Sequence, residues 1–437
     1  MRVSTTPSPS EPPAGGAQSA APVDGILSWQ QLSGLCAPEP DRVHGPASAQ
    51  ASLRLFGQEE GAVRVTLYRD HHAWCPYCQK VWLWLEERRI PYRVRKVTMV
   101  CYGEKEAWYR RLVPSGMLPA LELDGRLITE SDRILEALEL AFGPLRRSLH
   151  DPEVMSLRSL ERLLFRAWCQ WLCVPGLGER GERLAGDAFD RMAGAMADAL
   201  EAGPGPFLLG EISAADPVFV PYVERMSASL AYYKGYLLRR RHPAIDRWFR
   251  ALEERPSYLG SQSDFHTHAH DLPPQMGGCH ADGSAAQRDL ASRIDHGPWP
   301  ILAPEPDDPE TSERPPADAA AVALARVVRH RRTLLQRYGR GDGTTDTALR
   351  AALTALIQGT ALAPPPGTAS SLRSLAQRIS VPRDMPLHSA RLLRRALDAT
   401  AALDPLTPAA EAEPLPLSHR RDQDPRPFLL AQDRPSP

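Results

Sequence analysis

The stretch "HHAWCPYCQKVWLWLEERRIPY", residues 71 to 92, sets two cysteines two residues apart with Pro76 and Tyr77 between them. Cys75 and Cys78 could be a redox pair, half of a zinc site, or two small core residues. Pro76 suits the first position of a helix, where its missing N–H removes nothing. Cys75 then sits at the helix N-terminus, where unpaired N–H groups and the helix dipole favour an anion. The thiolate is the nucleophilic form of cysteine. Cys78 falls one turn deeper on the buried face, placed to resolve a mixed disulfide. Zinc needs four ligands, and no second CxxC or His pair at a suitable spacing lies nearby. His71 and His72, on the approach to the cysteines, read as a polar rim. The residues favour the redox reading over zinc and over structural cysteines.

The surrounding pattern supplies elements to hold such a dithiol. "VRVTLYRD" alternates Val63, Val65 and Leu67 with Arg64, Thr66 and Tyr68, which predicts a half-buried strand. Cys78, Val81, Trp82 and Leu85 recur at helical spacing until Pro91. "YRVRKVTM" predicts a second strand. "ALELDGRLIT" predicts a hairpin, with Asp124–Gly125 in the tight turn. "ESDRILEALELAFG" places Ile134, Leu135, Leu138 and Phe142 on one helical face, with Gly143 just past the end. A CxxC opening the first helix of this strand–helix–strand–hairpin–helix order is the thioredoxin-like α/β plan.

Residues 150 to 260 carry helical patterns without strand signals, as in "SLRSLERLLFRAWCQWLC". A Pro- and acid-rich linker is expected near 303 to 317. Three further helices are expected, on Leu324, Val328, Leu335 and Tyr338; on Leu349, Leu353, Leu356 and Ile357, closed by Gly359; and on Leu393, Ala396, Leu397 and Ala401. The Pro-rich last 35 or so residues are expected to be loose. Residues 1 to 24 are Ser, Pro, Ala and Gly with almost no charge, a composition that buries no core; a transit segment and plain disorder fit it equally.

Charge is balanced across the 437 residues, 52 Lys plus Arg against 53 Asp plus Glu, which argues against a dedicated nucleic-acid binder. No apolar run is long enough to span a membrane. Seven scattered cysteines do not make a secreted disulfide framework, so a reducing compartment, cytosol or plastid, is expected.

"CPYC" after a strand resembles the glutaredoxin active site, and with "SGMLPALELDGRLITESDRILEALE" residues 63 to 145 resemble the N-terminal domain of a glutathione transferase. The resemblance implies that Pro119 is a cis-proline and that the Leu118 backbone pairs with the cysteinyl part of glutathione. It implies that Glu130 and Ser131 receive the γ-glutamyl carboxylate, Ser131 from the start of a helix. Similarity of "GEKEAWYRRLVPSG" to omega-class members puts Lys105 at the glycyl carboxylate. Tyr77 is counted with the glutathione-binding residues.

"FLLGEISAADPVFVPYVERM" resembles the capping-box segment of the all-α C-terminal domain of these transferases, with Ser213 as cap and Asp216 reaching back. Trp168, Trp171, Tyr222, Tyr232 and Tyr233 could line a second-substrate pocket, although core packing is the safer reading of each.

"HTHAHDLPPQMGGCH" offers His266, His268, His270, Cys279 and His280 to a metal. Alternate histidines share a face only on a strand, and the flanking prolines favour a polar loop packed over the transferase core; no metal is assigned. With "DHGPWPI" and "ISVPRDMP", this stretch resembles the C-terminal extension of iota-class glutathione transferases, so the likeness spans roughly 50 to 402. "VVRHRRTLLQRYGR" is a basic helical face, solvated or turned to an acidic partner.

The expected organisation is an N-terminal extension (1–62), a thioredoxin-like glutathione-binding domain (63–145), an all-α transferase C-terminal domain (146–260), a mainly α-helical extension (261–405) and a Pro-rich tail (406–437). The resemblance implies a glutathione-dependent thiol–disulfide oxidoreductase or deglutathionylating transferase, with Cys75 attacking a glutathione mixed disulfide, dehydroascorbate or another disulfide. Glutathione would be the cosubstrate, oxidised small molecules or protein disulfides the partners, and a homodimer is possible. A redox-sensing or ligand- or partner-binding module on the same scaffold, with little turnover, is the alternative.

Overall fold

The computed structural model describes residues 25–296, 310–311 and 314–430. The expectations for residues 1 to 24, for most of the linker, for the end of "DHGPWPI" and for residues 431 to 437 lie outside the described residues.

A short helix, α1 (Trp29–Gly34), precedes a two-residue strand, β1 (Leu53–Arg54). The thioredoxin-like layer follows as β2 (Val65–Asp70), α2 (Pro76–Glu87), β3 (Tyr92–Val97), α3 (Ala107–Leu112), β4 (Ala120–Leu123), β5 (Arg126–Thr129) and α4 (Ser131–Phe142). The sheet order is β1-β3-β2-β4-β5, with β2 and β3 parallel and the other pairs antiparallel. The first expected strand begins at Val65, since Val63 closes a 3-10 turn. β1 gave no sequence signal, because two residues cannot show an alternation. Its Arg54 is buried and meets Glu86 through Nε at 2.8 Å and Nη2 at 3.0 Å, while Tyr92 Oη donates to Glu86 Oε1 at 2.6 Å. Leu67, Val81, Leu85, Leu121, Ile134 and Leu138 form the core between sheet and helices.

Helices α5 (Pro152–Leu172), α6 (Gly178–Glu201), α7 (Asp216–Lys234), α8 (Leu238–Arg241), α9 (Pro243–Glu253) and α10 (Pro256–Leu259) build the second domain. Only half of the expected capping box forms at α7. Asp216 accepts from the Ser213 N–H at 2.9 Å, and also from the Leu208 N–H at 3.2 Å and Trp248 Nε1 at 3.0 Å. Ser213 Oγ donates to Asp216 Oδ2 at 3.2 Å and does not cap the helix. Burial pushes the Asp216 carboxyl up despite these bonds.

The histidine-rich stretch is a helix, α11 (Phe265–Asp271), and not the expected loop. Asp264 caps it, accepting from the Thr267 N–H at 2.9 Å and pairing with Arg394, so the prolines end the helix without preventing it. His266 and His270 therefore share one helical face, while His268 turns to another. Short α12 (Pro273–Met276) and α13 (Ala285–His296) follow.

The three expected C-terminal helices are present as α14 (Ala319–Tyr338), α15 (Thr344–Gln358) and α17 (Leu387–Ala401), with Gly359 in the left-handed conformation at φ 76 closing α15. Serines concealed α16 (Ala369–Gln377), which buries Leu372 and Leu375 in the same core. Leu32 of α1 enters that core as well. The tail is anchored rather than loose as far as it is described. Arg420 is buried against Asp271 and donates its N–H to the Cys101 carbonyl at 2.8 Å, and Gln423 Nε2 donates to the Arg378 carbonyl at 2.8 Å. Composition misleads here because specific polar contacts, not apolar burial, hold the segment. Among the described residues no helix is long and apolar enough to cross a membrane.

Candidate active site

β2 ends at Asp70, whose Oδ2 accepts the Trp74 N–H at 2.7 Å and so shapes the turn into α2. Cys75 is the N-cap of α2 with extended backbone (φ −60, ψ 122), and Pro76 occupies the first helical turn. Cys75 is 5% exposed and Cys78 1%. Cys75 nevertheless borders a cavity of about 550 Å³, shared with Tyr77, Lys105, Leu118 and Arg225. Burial pushes the Cys78 thiol well above its ordinary range, and the hydrogen bond with Cys75 and the Asp70 charge act in the same direction. Cys78 is thus the protonated, recessed member of the pair.

A second cavity, about 530 Å³, is lined by Tyr77, Leu118, Pro119, Glu130 and Ser131. The two spaces share Tyr77, Met117, Leu118 and Tyr222 as common walls. The Leu118–Pro119 peptide is cis. Tyr109 Oη donates to the Met117 carbonyl at 2.6 Å and fixes the segment before it. Glu130 holds φ 66, a conformation that costs a non-glycine residue on the order of 1–3 kcal/mol, immediately before Ser131 opens α4. Cations frame this second cavity: Lys80 Nζ is 2.6 Å from Asp132 Oδ1, and Arg158 and Arg162 line the far wall.

Every residue expected to serve the dithiol or the tripeptide therefore borders one of these cavities, except Cys78, which lies behind Cys75. Lys105 stands on the Cys75 side, and burial lowers its pKa against the opposing pull of Cys78 and Cys75. Of the five aromatic candidates, Trp168 and Tyr222 line the Cys75 cavity. Trp171 packs on Phe189 and Tyr236 in the core, Tyr232 donates to Asp295 at 2.7 Å, and Tyr233 donates to the Ala269 carbonyl at 2.8 Å.

Two residues brace the dithiol loop from behind: Arg225, which the sequence reading did not single out, and His268, which it offered only to a metal. Arg225, buried on α7, lies with its guanidinium 4.6 Å from the Trp74 ring centroid, donates to the Trp74 and Pro221 carbonyls and reaches Gln79 Oε1 at 3.0 Å. The only signal was a lone arginine inside "FVPYVERMSASLAYY". His268 accepts Trp74 Nε1 at 3.0 Å through Nδ1, and burial lowers its pKa. His72 is not a rim residue: it is fully buried, stacks on Tyr102 at 3.5 Å and lies 2.8 Å from Arg383 Nη1. His71 keeps a polar position, 3.6 Å from Glu106.

The histidine-rich stretch divides its residues among three tasks. His266, His270 and Asp295 bring ligand atoms within 4.8 Å of one another, with His270 Nε2 2.7 Å from Asp295 Oδ1. Cys279 instead joins Cys169 and Cys173. Hydrogen bonds from both thiols bring Cys173 down to about 4, with His280 and Lys234 adding positive charge. The i, i+4 spacing in "CQWLC" was the available hint of this thiol cluster.

Residues 74–141 match the family profile described as "Glutathione S-transferase, N-terminal domain", and residues 159–251 match "Glutathione S-transferase, C-terminal domain". The thioredoxin-like α/β domain and the helical domain thus match these two glutathione S-transferase profiles, and further helices follow beyond residue 260. "Glutathione S-transferase DHAR2" of Arabidopsis thaliana is 28% identical over 190 residues, 43% of this chain and 84% of the relative. The chloroplastic "Glutathione S-transferase DHAR3" of the same plant is 28% identical over 191 residues, 44% of this chain and 69% of the relative. Among solved structures, glutathione transferase Omega 3C from Trametes versicolor is 23% identical, covering 55% of this chain and 97% of its own, with a TM-score of 0.40.

Proposed function

We propose that the protein is a glutathione-dependent thiol–disulfide oxidoreductase working through Cys75. One observation carries this reading: Cys75 occupies the N-cap position of α2 on the wall of a cavity that adjoins a second one bounded by Leu118, Pro119, Glu130 and Ser131. Glutathione fits the pair of spaces, with its thiol at Leu118, its γ-glutamyl carboxylate at Ser131 and its glycyl end toward Lys105. The relatives named glutathione S-transferase support the cosubstrate.

Cys75 sulfur attacks the glutathionyl sulfur of a mixed disulfide, forming Cys75–S–S–glutathione and releasing the acceptor as a thiolate that takes up a proton. A second glutathione, as thiolate, attacks the same glutathionyl sulfur. It leaves as glutathione disulfide and returns Cys75 as the anion, so the mixed disulfide and one glutathione become the free acceptor thiol and glutathione disulfide. Lys105 and Arg225 place positive charge on the cavity wall beside the sulfur. Cys78, protonated behind Cys75, offers the slower dithiol branch.

The test is a panel of hydroxyethyl disulfide, dehydroascorbate and chlorodinitrobenzene, each with glutathione. Wild type reduces the first two and conjugates the third poorly. Cys78→Ser stays within about threefold of wild type on hydroxyethyl disulfide, since the monothiol route needs only Cys75. Conjugation as the dominant activity would refute the proposal.

A second reading, redox sensing with little turnover, draws on the 5% exposure of Cys75 and on the contacts of His72 and Trp74 with the extension. A reversible Cys75–Cys78 disulfide with negligible turnover on the whole panel would favour it.

A further inference from the structure

A third cavity, about 210 Å³, lies between β3, α14 and the 378–385 loop, and it shares no lining residue with the two beside Cys75. Seven Lys and Arg side chains line it against two Asp. The carboxylates are already engaged, Asp422 by Arg378 at 3.1 Å and Asp384 by Arg383 at 2.7 Å. Arg42 and Arg329 reach Glu39 at 2.7 Å each, yet Arg42 Nε is buried without a hydrogen-bond partner. Among the described residues Lys96, Arg326 and Arg337 have no carboxylate at ion-pair distance. Lys96 Nζ has the Gln50 carbonyl oxygen at 3.4 Å, and Arg326 Nε donates to the Asp384 carbonyl at 2.6 Å.

Lys96, Arg326 and Arg337 are half-buried, and cations withdrawn from water without counter-charge are costly to keep in a fold. Burial, reinforced by neighbouring arginines, pushes Lys96 down to about 7 and Arg326 to about 10. Apolar side chains share the lining, Leu334, Tyr338, Ile379, Met385, Leu393 and Phe428 among them. A bare inorganic anion would leave those side chains unused, and a neutral ligand would leave the cations uncompensated. We propose that this cavity binds a small amphiphilic anion: a carboxylate, sulfonate or phosphate monoester on a compact apolar body. Its volume is below the roughly 300–1,000 Å³ of drug-sized pockets, which limits the body to about one or two rings. The basic face of α14, solvated or partner-binding by sequence, thus contributes Arg329, His330 and Arg337 to the rim and wall of a partly enclosed site, with Arg329 exposed.

The test is calorimetric titration of the full chain with naphthyl phosphate, naphthol and inorganic phosphate. Naphthyl phosphate is expected to bind one-to-one, at least about tenfold tighter than either other probe. The Lys96→Met/Arg326→Met double variant is expected to weaken it by about tenfold or more, and Leu334→Trp, which fills the cavity and keeps the charges, to abolish it. Circular dichroism confirms that each variant is folded. Glutathione is expected not to compete, and Cys75→Ser to bind as wild type. No saturable binding, equal affinity for inorganic phosphate, displacement by glutathione, or wild-type affinity in either folded cavity variant would overturn the assignment. Because its readout is binding, this result stands apart from the fate of the Cys75 chemistry.

Discussion

Cys75→Ser is expected to lower glutathione-dependent reduction of hydroxyethyl disulfide by on the order of 1,000-fold or more, the scale seen when an essential nucleophile is removed. A serine hydroxyl is not ionised near neutrality and forms no bond to sulfur that a second thiol could exchange. Cys78 is no substitute, since it is buried on the inner face of α2 with its thiol held protonated by burial. Glutathione affinity should remain within about threefold, because Leu118, Glu130 and Ser131 do not change. The same variant may be assayed for conjugation of chlorodinitrobenzene, where a hydroxyl beside a bound thiol favours a gain. Full reductase activity in Cys75→Ser would refute the mechanism.

Arg225→Met is expected to have the second largest effect. Arg225 holds the Trp74 carbonyl, one residue before Cys75, and Gln79 Oε1 on the first turns of α2. Gln79 in turn donates to Glu224 Oε2 at 2.9 Å, so the guanidinium also balances a buried carboxylate. Removing one partner of a buried charged network costs about 3–5 kcal/mol, which urea denaturation would read as a lower midpoint. Turnover on hydroxyethyl disulfide should fall by about 10–100-fold, as expected when the geometry around a reacting group loosens by about an ångström. Arg225→Lys should recover part of the stability but less of the turnover, because an ammonium cannot span both acceptors as the planar fork does. Unchanged stability and turnover in Arg225→Met would remove it from the site.

The part of the fold closest to the chemistry was the part most legible in the sequence, for a physical reason. Pro76 after Cys75, Asp124–Gly125 and Gly143 are local punctuation, each tied to one backbone conformation by its own chemistry. The periods of "VRVTLYRD" and "RILEALELAF" are equally local. What stayed hidden depends on partners far along the chain. Nothing near His268 announces that it meets Trp74, and nothing near Arg225 announces the turn it braces. The histidine stretch was misread because alternate spacing suggested a strand or loop, while a single capping residue, Asp264, was enough to start a helix. The tail was misread because prolines were weighed and the buried Arg420 was not. Cys75 is only 5% exposed, and its access is through the cavity beside it.

Those distant contacts give the extension a definite relation to the dithiol. α11 supplies the acceptor for Trp74, the 378–385 loop supplies Arg383 beside His72, and the tail carbonyl of Gln423 lies 3.1 Å from His72 Nε2. The extension therefore packs behind the dithiol loop, and its Leu272, Gln275 and Met276 also line the cavity beside Cys75.

The most direct measurement of the central claim is the site of the glutathione adduct. The full chain would be treated with glutathione disulfide at neutral pH, alkylated, digested and mapped by mass spectrometry, in wild type, Cys78→Ser and Cys75→Ser. The account predicts a glutathionyl group on Cys75 in Cys78→Ser, a Cys75–Cys78 disulfide or the same adduct in wild type, and neither in Cys75→Ser. Adduct confined to Cys173, whose thiol is held low by its neighbours, or the same adduct pattern with and without Cys75, would contradict it.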